Sequence, residues 1–404
     1  MSAAKTDAFP LFPLLVLSGA IFVSVSSEFL PTGLLPDMAS DLRVTESQIG
    51  LLVTIFAFTV AITTVPLARI TQRFSRKRLM VTLLLVFALA NVLAGLSETY
   101  EFLVFARVLG GLAHGLFWAV TGPYASRLVT RKQLVRALSV TNAGGTAAFI
   151  LGVPLGTALG HALGWQVAFF VMAGVVLAFT VLVVLFLPPV EHLHTLTTGE
   201  IGLPARKDRT IPAVVAACIL CIIIMLGQNL FNTYIAPWII GPAGFDSNSV
   251  SAMLFVSGAA GAIGLLLSGV FGDRHPRATF TIMLVAVGVA MVLLYLFSGT
   301  EWFVIVLFAL WGVAFGGLPS MLHAKVLGAA SPRIRDIASA SLTTSFNIAI
   351  GGGALLGGLL LDAFGVEVLP LAFTALIVVA LVVSTADDLR RPQRRAVVDT
   401  TVVR

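Results

Sequence analysis

Gly111-Leu-Ala-His-Gly115 recurs, 201 positions later, as Gly312-Val-Ala-Phe-Gly316. The same offset carries Thr32 onto Thr233, Pro36 onto Pro237, Ala61 onto Ala262, Arg73 onto Arg274 and Arg76 onto Arg277. It also carries Gly152, Leu155, Gly156 and Gly164 onto Gly353, Leu356, Gly357 and Gly365. Single Gly and Ala matches are common in so apolar a chain. A constant, gap-free offset close to half of the 404 residues is not. The chain therefore reads as two copies of one unit in tandem.

The solvent of that unit follows from composition. Hydrophobic residues make up 58% of the chain and charged residues only 11%, with mean hydropathy +1.01. A soluble domain carries about a quarter charged residues, so lipid must replace water around much of this surface. A helix needs ~20 apolar residues to cross the hydrocarbon core. Only helices and closed barrels satisfy their backbone polar groups there. The apolar runs are long and continuous rather than alternating, which selects helices. Twelve are expected, at 11–36, 48–70, 79–97, 102–126, 137–160, 167–187, 211–240, 249–271, 279–297, 303–325, 336–361 and 367–386. The first run is longer than the apolar core of a signal peptide and contains Glu28, so it reads as a span.

Charge orients the expected bundle. Twelve spans put both termini on one side, and Lys and Arg accumulate on the cytoplasmic side. With the N-terminus inside, 23 of the 25 Lys and Arg fall in inner segments, one (Arg43) in an outer loop and one (Arg107) within a span. The outer loops carry Asp41, Glu46, Glu98, Glu101, Asp246, Glu301 and Glu367 instead. The net charge of +6 is thus a topology signal, and nucleic-acid binding is not expected. The reading is an all-α protein of the bacterial inner membrane with cytoplasmic termini. Residues 1–187 form one six-helix bundle, 188–210 a cytoplasmic linker, 211–386 a second bundle and 387–404 a cytoplasmic tail. Parallel six-span repeats with a cavity between them are the architecture of alternating-access transporters.

Ionisable residues inside a span are costly and usually line a cavity or find a partner. Glu28 and Arg107 lie in the first and fourth spans at depths only a few ångströms apart at 1.5 Å rise per residue, so they can pair. A carboxylate that gains and loses such a partner behaves as a proton carrier; a permanent Glu–Arg staple is the plainer alternative. His114 lies one stripe along from Arg107, with Gly111 and Trp118. It suits either a proton path or a hydrogen bond to substrate or a neighbouring helix. Gln228, Asn229 and Asn232 place amides in the seventh span, and Asn229 is the repeat-mate of Glu28. They read as substrate hydrogen-bonders or as glue between helices. Trp118, Asn142, Thr146, Tyr234, His323 and Asn347 complete the candidate cavity lining, and Asp37 at the outer end of the first span reads as structural. Pairs of Gly four apart, Gly111 with Gly115, Gly152 with Gly156, Gly312 with Gly316 and Gly353 with Gly357, read as close helix packing.

Several motifs then resemble one family. Ala68-Arg-Ile-Thr-Gln-Arg-Phe-Ser-Arg-Lys-Arg-Leu79 and Gly269-Val-Phe-Gly-Asp-Arg-His-Pro-Arg277 resemble the loop signature Gly-x-x-x-Asp-Arg-x-Gly-Arg-Lys of the major facilitator superfamily. Arg107-Val-Leu-Gly-Gly111 resembles its Arg-x-x-x-Gly signature. Gly152-Val-Pro-Leu-Gly156, which contains Pro154, followed by Gly164-Trp165, resembles the signature of the twelve-span drug:proton antiporters. Ser27-Glu-Phe-Leu-Pro-Thr-Gly-Leu-Leu-Pro-Asp-Met-Ala39, Ala113-His-Gly-Leu-Phe-Trp118 and Phe346-Asn-Ile-Ala-Ile-Gly351 look closest to sugar-efflux and chloramphenicol-efflux members. The resemblance implies two pseudo-symmetric six-helix bundles. It also implies proton-coupled antiport of a sugar or chloramphenicol-like drug, with a bearing on drug resistance. Its loop residues here are Arg73, Arg76, Lys77, Asp273, Arg274 and Arg277. The first loop departs from the pattern, with Gln72 for Asp and Ser75 for Gly. A latch through that Asp is therefore in doubt, and Arg73, Arg76 and Lys77 are left to meet helix C-termini or only to fix topology.

Other chemistries find little support. GxxxxGK[ST] is absent, which argues against ATP drive, and no catalytic constellation is visible. Cys218 and Cys221 sit in an apolar run without a second cysteine pair, and His192 and His194 lie in the linker, so neither pair is read as a metal site. No cofactor is expected. The partners are a small-molecule substrate, protons and the bilayer, with the chain as a monomer. Uptake symport and a non-transporting sensor on the same fold are the alternatives to efflux.

Overall fold

The computed structural model describes residues 9–71, 74–130, 133–189, 208–331 and 333–401. Among them all regular structure is helical, and twelve helices are long and apolar enough to cross a membrane. Spans 1 to 6 are Leu11–Gly33, Glu46–Ile70, Arg76–Gly95, Tyr100–Leu128, Arg136–Leu163 and Trp165–Phe186. Spans 7 to 12 are Ile211–Asn232, Ser247–Gly272, Pro276–Leu296, Glu301–Ala329, Ile337–Phe364 and Val366–Ala386. The helix of span 12 runs on to Thr401, through most of the stretch expected as a tail. Most of the linker lies outside the described residues.

Spans 1 and 7 stop earlier than hydropathy suggests. Their helices end at Gly33 and Asn232 and restart as Leu35–Leu42 and Ile235–Ile240. Pro36 and Pro237 account for both breaks. A proline has no N–H to offer the carbonyl four residues back, and its ring crowds that carbonyl. The two prolines are repeat-mates, so the bend belongs to the repeated unit. In span 5 a π-turn at Ala148–Gly152 precedes Pro154 and takes up the same kind of lost bond.

Spans 1 to 6 pack on one another, as do spans 7 to 12. Close approach depends on small residues. A Cβ on Gly152 or Gly156 would run into Ser26 or Leu30 of span 1; one on Gly353 or Gly357 would meet the Leu226 and Leu230 carbonyls of span 7. Gly111 and Gly115 seat span 4 on Phe56, Thr59 and Thr64 of span 2.

Across the halves, span 2 lies on span 11 and span 5 on span 8. These contacts favour one end. We call the end near residues 9, 189 and 208 basal and the other distal. Thr54 Oγ1 donates to the Gly351 carbonyl at 3.0 Å, Gly358 faces Ser47, and Gly258 sits on the backbone of Phe149 and Ile150. The short distal helices Leu35–Leu42 and Ile235–Ile240 also touch. The basal parts of span 5 (Leu134–Ala147) and span 10 (Leu318–Ala329) make no extensive contact with the opposite half. Polar Asn142, His323 and Thr343 are exposed there. The halves are thus joined distally and parted basally.

Candidate functional site

The ionisable residues of spans 1 and 4 meet inside the first six spans, not between the halves. On span 1, Ser24, Ser27 and Glu28 share a face at helical spacing; on span 4, Arg107, Gly111, His114 and Trp118 do the same. Glu28, Arg107 and His114 are 5%, 4% and 4% exposed. Burial of this depth requires that each polar atom be satisfied.

Pro31 sets where the guanidinium goes. Without an N–H at residue 31, the Ser27 carbonyl lacks its helical partner. Arg107 Nη1 donates to it at 3.1 Å, and Nη2 donates to the Glu28 carbonyl at 2.9 Å. The cation also lies 4.3 Å from the centre of the Phe56 ring. The sequence places Arg107 beside Glu28, and the structure does so, through the main chain of Glu28 rather than through its carboxylate.

The carboxylate faces His114 instead, with Glu28 Oε2 3.4 Å from Nε2. The Trp118 indole donates to the same Nε2 at 2.8 Å. Indole N–H is a donor only, so Nε2 accepts and Nδ1 carries the ring proton, which it donates to Ser24 Oγ at 2.8 Å. In that tautomer the one Nε2 lone pair already accepts from the indole, so an ionised Glu28 oxygen beside it is repelled, whereas a protonated carboxyl shares the lone pair as a second donor. Alongside, Ser27 Oγ donates to Asn91 Oδ1 at 2.6 Å, and Asn91 Nδ2 donates to the Phe87 carbonyl.

The matching positions of the second half look different. Asn229 is buried, returns its amide to the Met225 carbonyl of its own helix, and packs on Gly353. Gln228 Oε1 accepts from Trp311 Nε1 at 3.1 Å. Tyr234 is enclosed, with its hydroxyl donating to the Ala354 carbonyl and its ring edge against Gly50 of the first half. Asn347 donates to the Thr343 carbonyl at 3.0 Å; Asn232, Thr146 and Trp118 are half-buried, and Asn142 and His323 are exposed. The candidate cavity residues therefore divide into enclosed ones, half-buried ones including Asn232 at the distal end of span 7, and the exposed Asn142 and His323 at the parted basal side.

Arg73 lies outside the described residues. Lys77 Nζ donates to the Val184 carbonyl at 2.8 Å and so caps the end of span 6; Arg76 begins span 3. Asp273, Arg274 and Arg277 are exposed after span 8. At the distal end, Asp37 Oδ2 lies 3.2 Å from His161 Nε2, and Asp41 accepts from Trp165 Nε1 at 2.9 Å. These contacts tie the short helix after span 1 to spans 5 and 6. Ser24, Asn91 and His161 do not figure in the sequence reading, and Ser27 only as the start of a motif. The signals were present: two serines on the face of Glu28, and an asparagine within the apolar run of span 3.

The model of the Major Facilitator Superfamily matches residues 17–223 and 217–400. The chain belongs to this superfamily. A protein of Helicobacter pylori strain P12 named "Probable sugar efflux transporter" is 32% identical over 374 residues, covering 92% of this chain and 94% of its own. Its counterpart in strain J99 is 31% identical with the same coverage. Among solved structures, the nucleoside transporter NupG superposes with TM-score 0.75 at 15% identity, covering 94% of this chain and 99% of its own. A bacterial homologue of the lysosomal transporter Spinster, in a conformation titled inward-facing and unoccupied, gives 0.70 at 14%, covering 95% and 97%. At such identities these two speak for the fold alone. The protein is a multi-pass membrane transporter of the major facilitator fold, not an enzyme.

Proposed function

We propose that this transporter exports a small polar or amphiphilic molecule, with sugars first among the candidates, in exchange for protons. One observation carries the coupling: the buried Glu28 carboxylate opposite the His114 lone pair, a contact that is favourable with one proton and repulsive with none. Arg107, fixed on two backbone carbonyls next to it, supplies the positive field that makes losing that proton tolerable. Trp118, bonded to His114, is half-buried and so gives the network a partly exposed member. Asn142 and His323 are our cargo contacts on the parted side and Asn347 a deeper one, with Gln228, Asn229, Asn232 and Tyr234, nearer the joined end, meeting cargo when the halves rock. The sugar comes from the names of the relatives. The cytoplasmic assignment of the basal end comes from the Lys and Arg distribution. Under that assignment the described state opens inward.

Sugar transport in everted vesicles with an acid interior tests the reading. Wild type should accumulate sugar as it releases protons. Glu28→Gln keeps the shape and removes the exchangeable charge, so it should bind and counterflow sugar but not concentrate it. Undiminished pH-driven accumulation by Glu28→Gln would remove Glu28 as the carrier and leave His114 as the next candidate. Accumulation driven in the opposite sense would establish uptake symport.

A further inference from the structure

A narrow void inside the first six spans adjoins Arg107. It lies between Ser27, Asn91, Phe56, Phe87, Phe169 and the guanidinium and leaves about 10 Å³ of room for the centre of a water molecule. Its widest point takes one water-sized sphere. A second void beyond His114, between Ser24 and Phe117, is lined mostly by apolar side chains and takes none. Two nitrogens of Arg107 are spent on backbone carbonyls, but Nε is buried and has no protein acceptor. A buried N–H without an acceptor costs ~1–3 kcal/mol, more in a charged group.

We propose that one ordered water belongs to this void, accepting from Arg107 Nε and donating to Asn91 Oδ1 and Ser27 Oγ. The donor and acceptor inventory selects water over an anion. Both polar side chains opposite Arg107 have used donors elsewhere: Ser27 Oγ gives its proton to Asn91 Oδ1, and Asn91 Nδ2 donates to the Phe87 carbonyl. The lone pairs of both oxygens remain to accept from water, one Asn91 N–H is still unspent, and the space takes a single water-sized sphere, too little for a polyatomic anion. With Nη1 and Nη2 on the span 1 backbone and Nε tied through the water to the Ser27 and Asn91 side chains, all three nitrogens are engaged, and the Glu28 carboxylate is left to His114. The water is thus a structural member of the ionisable network. Its presence does not depend on which ion or cargo is transported.

Hydroxyl-radical footprinting by X-ray pulses, on the full protein in lipid nanodiscs, reads the water directly, because radicals form from bound water beside buried side chains. Phe56, Phe87 and Phe169 are 1%, 4% and 1% exposed; Phe231 and Phe308, in the aromatic core of the second half, are both 0% exposed. Oxidation of the first three should exceed that of the last two severalfold. Asn91→Leu keeps the volume and removes the acceptor, and should bring Phe87 and Phe169 down to the level of Phe231. Equal, low oxidation of both groups in wild type overturns the water. Oxidation undiminished in Asn91→Leu overturns its coordination. Neither readout involves transport, so either failure is distinct from a failure of the Glu28 proposal.

Discussion

The two halves share a backbone plan and fill it with opposite chemistry. Where the first half has Glu28, Arg107 and His114, the second has Asn229, Phe308 and Phe315. The first core is a hydrogen-bonded network around a cation. The second is a cluster of Phe231, Trp238, Phe308 and Trp311, edge to face at 5.4 to 5.6 Å between several ring centres. One residue explains why the cation can sit in the first half: Pro31 frees the Ser27 carbonyl. Its mate Asn232 retains an N–H, so the Gln228 carbonyl has no such vacancy. A charge in this membrane fold thus depends on a helix defect that supplies its partner. Under our proposal, one half titrates while the other stays fixed.

Grafting the charge across the halves should give the largest effect. Phe308→Arg puts a guanidinium into the aromatic core without a free carbonyl, at a cost of ~2.5–3.5 kcal/mol, a sizeable part of a typical total of ~5–15 kcal/mol. We expect a steep fall in folded yield and melting temperature. Adding Asn232→Pro, itself worth ~3 kcal/mol against a helix, frees the Gln228 carbonyl for the new cation. The double variant should therefore lose less than the sum of the single losses. Strict additivity in this cycle would show that the freed carbonyl is not what holds Arg107.

The converse change is gentler. Pro31→Ala restores an N–H at residue 31, which competes with Arg107 for the Ser27 carbonyl. A hydrogen bond to a charged group is worth ~1.5–3 kcal/mol and an ordinary one ~0.5–1.5, so the exchange of bonds loses about 1 kcal/mol, and the variant should gain correspondingly less than the ~3 kcal/mol that removing a proline from a helix interior returns. The pH dependence of transport should move as well, since the guanidinium becomes free to turn toward the Glu28 carboxylate. A melting curve and a pH profile both identical to wild type would detach Pro31 from the site.

This network also shows how far the sequence is legible. Hydropathy and the repeat offset locate the twelve helices, because lipid imposes one simple rule on every span. They miss the breaks after Gly33 and Asn232, because both flanks are apolar; only Pro36 and Pro237 mark them. Helical rise places Glu28 and Arg107 at one depth, but depth does not choose between a side-chain carboxylate and a main-chain carbonyl. That choice depends on Pro31, four residues after Ser27, and on His114 reaching the carboxylate. Asn229 is legible as an amide within a span, whereas its bond back to Met225 is a rotamer choice that spacing does not reveal.

The smallest effect concerns how each half is anchored where the chain enters it. The first half starts with Phe9 under the Arg136 guanidinium, 4.3 Å from the ring centre. The second starts with Asp208, whose carboxylate accepts from Ser331 Oγ at 2.6 Å and from Thr210 Oγ1 and N at 2.6 and 2.8 Å. Those bonds, the one from Ser331 foremost, hold the Asp208 carboxyl down at about 2. Its ordinary value is ~3.9. The folded state therefore prefers the ionised form, and the resulting stabilisation is complete above pH ~4 and is lost as pH falls through about 2. Asp208→Asn should melt slightly below wild type at neutral pH, by an amount constant from pH 5 to 8, and the gap should close between pH ~4 and ~2. Arg136→Gln, which removes the cation from the Phe9 ring, should show an offset that does not change over the same range. A gap for Asp208→Asn that persists unchanged to pH 2 would mean that the carboxylate is not what anchors the second half.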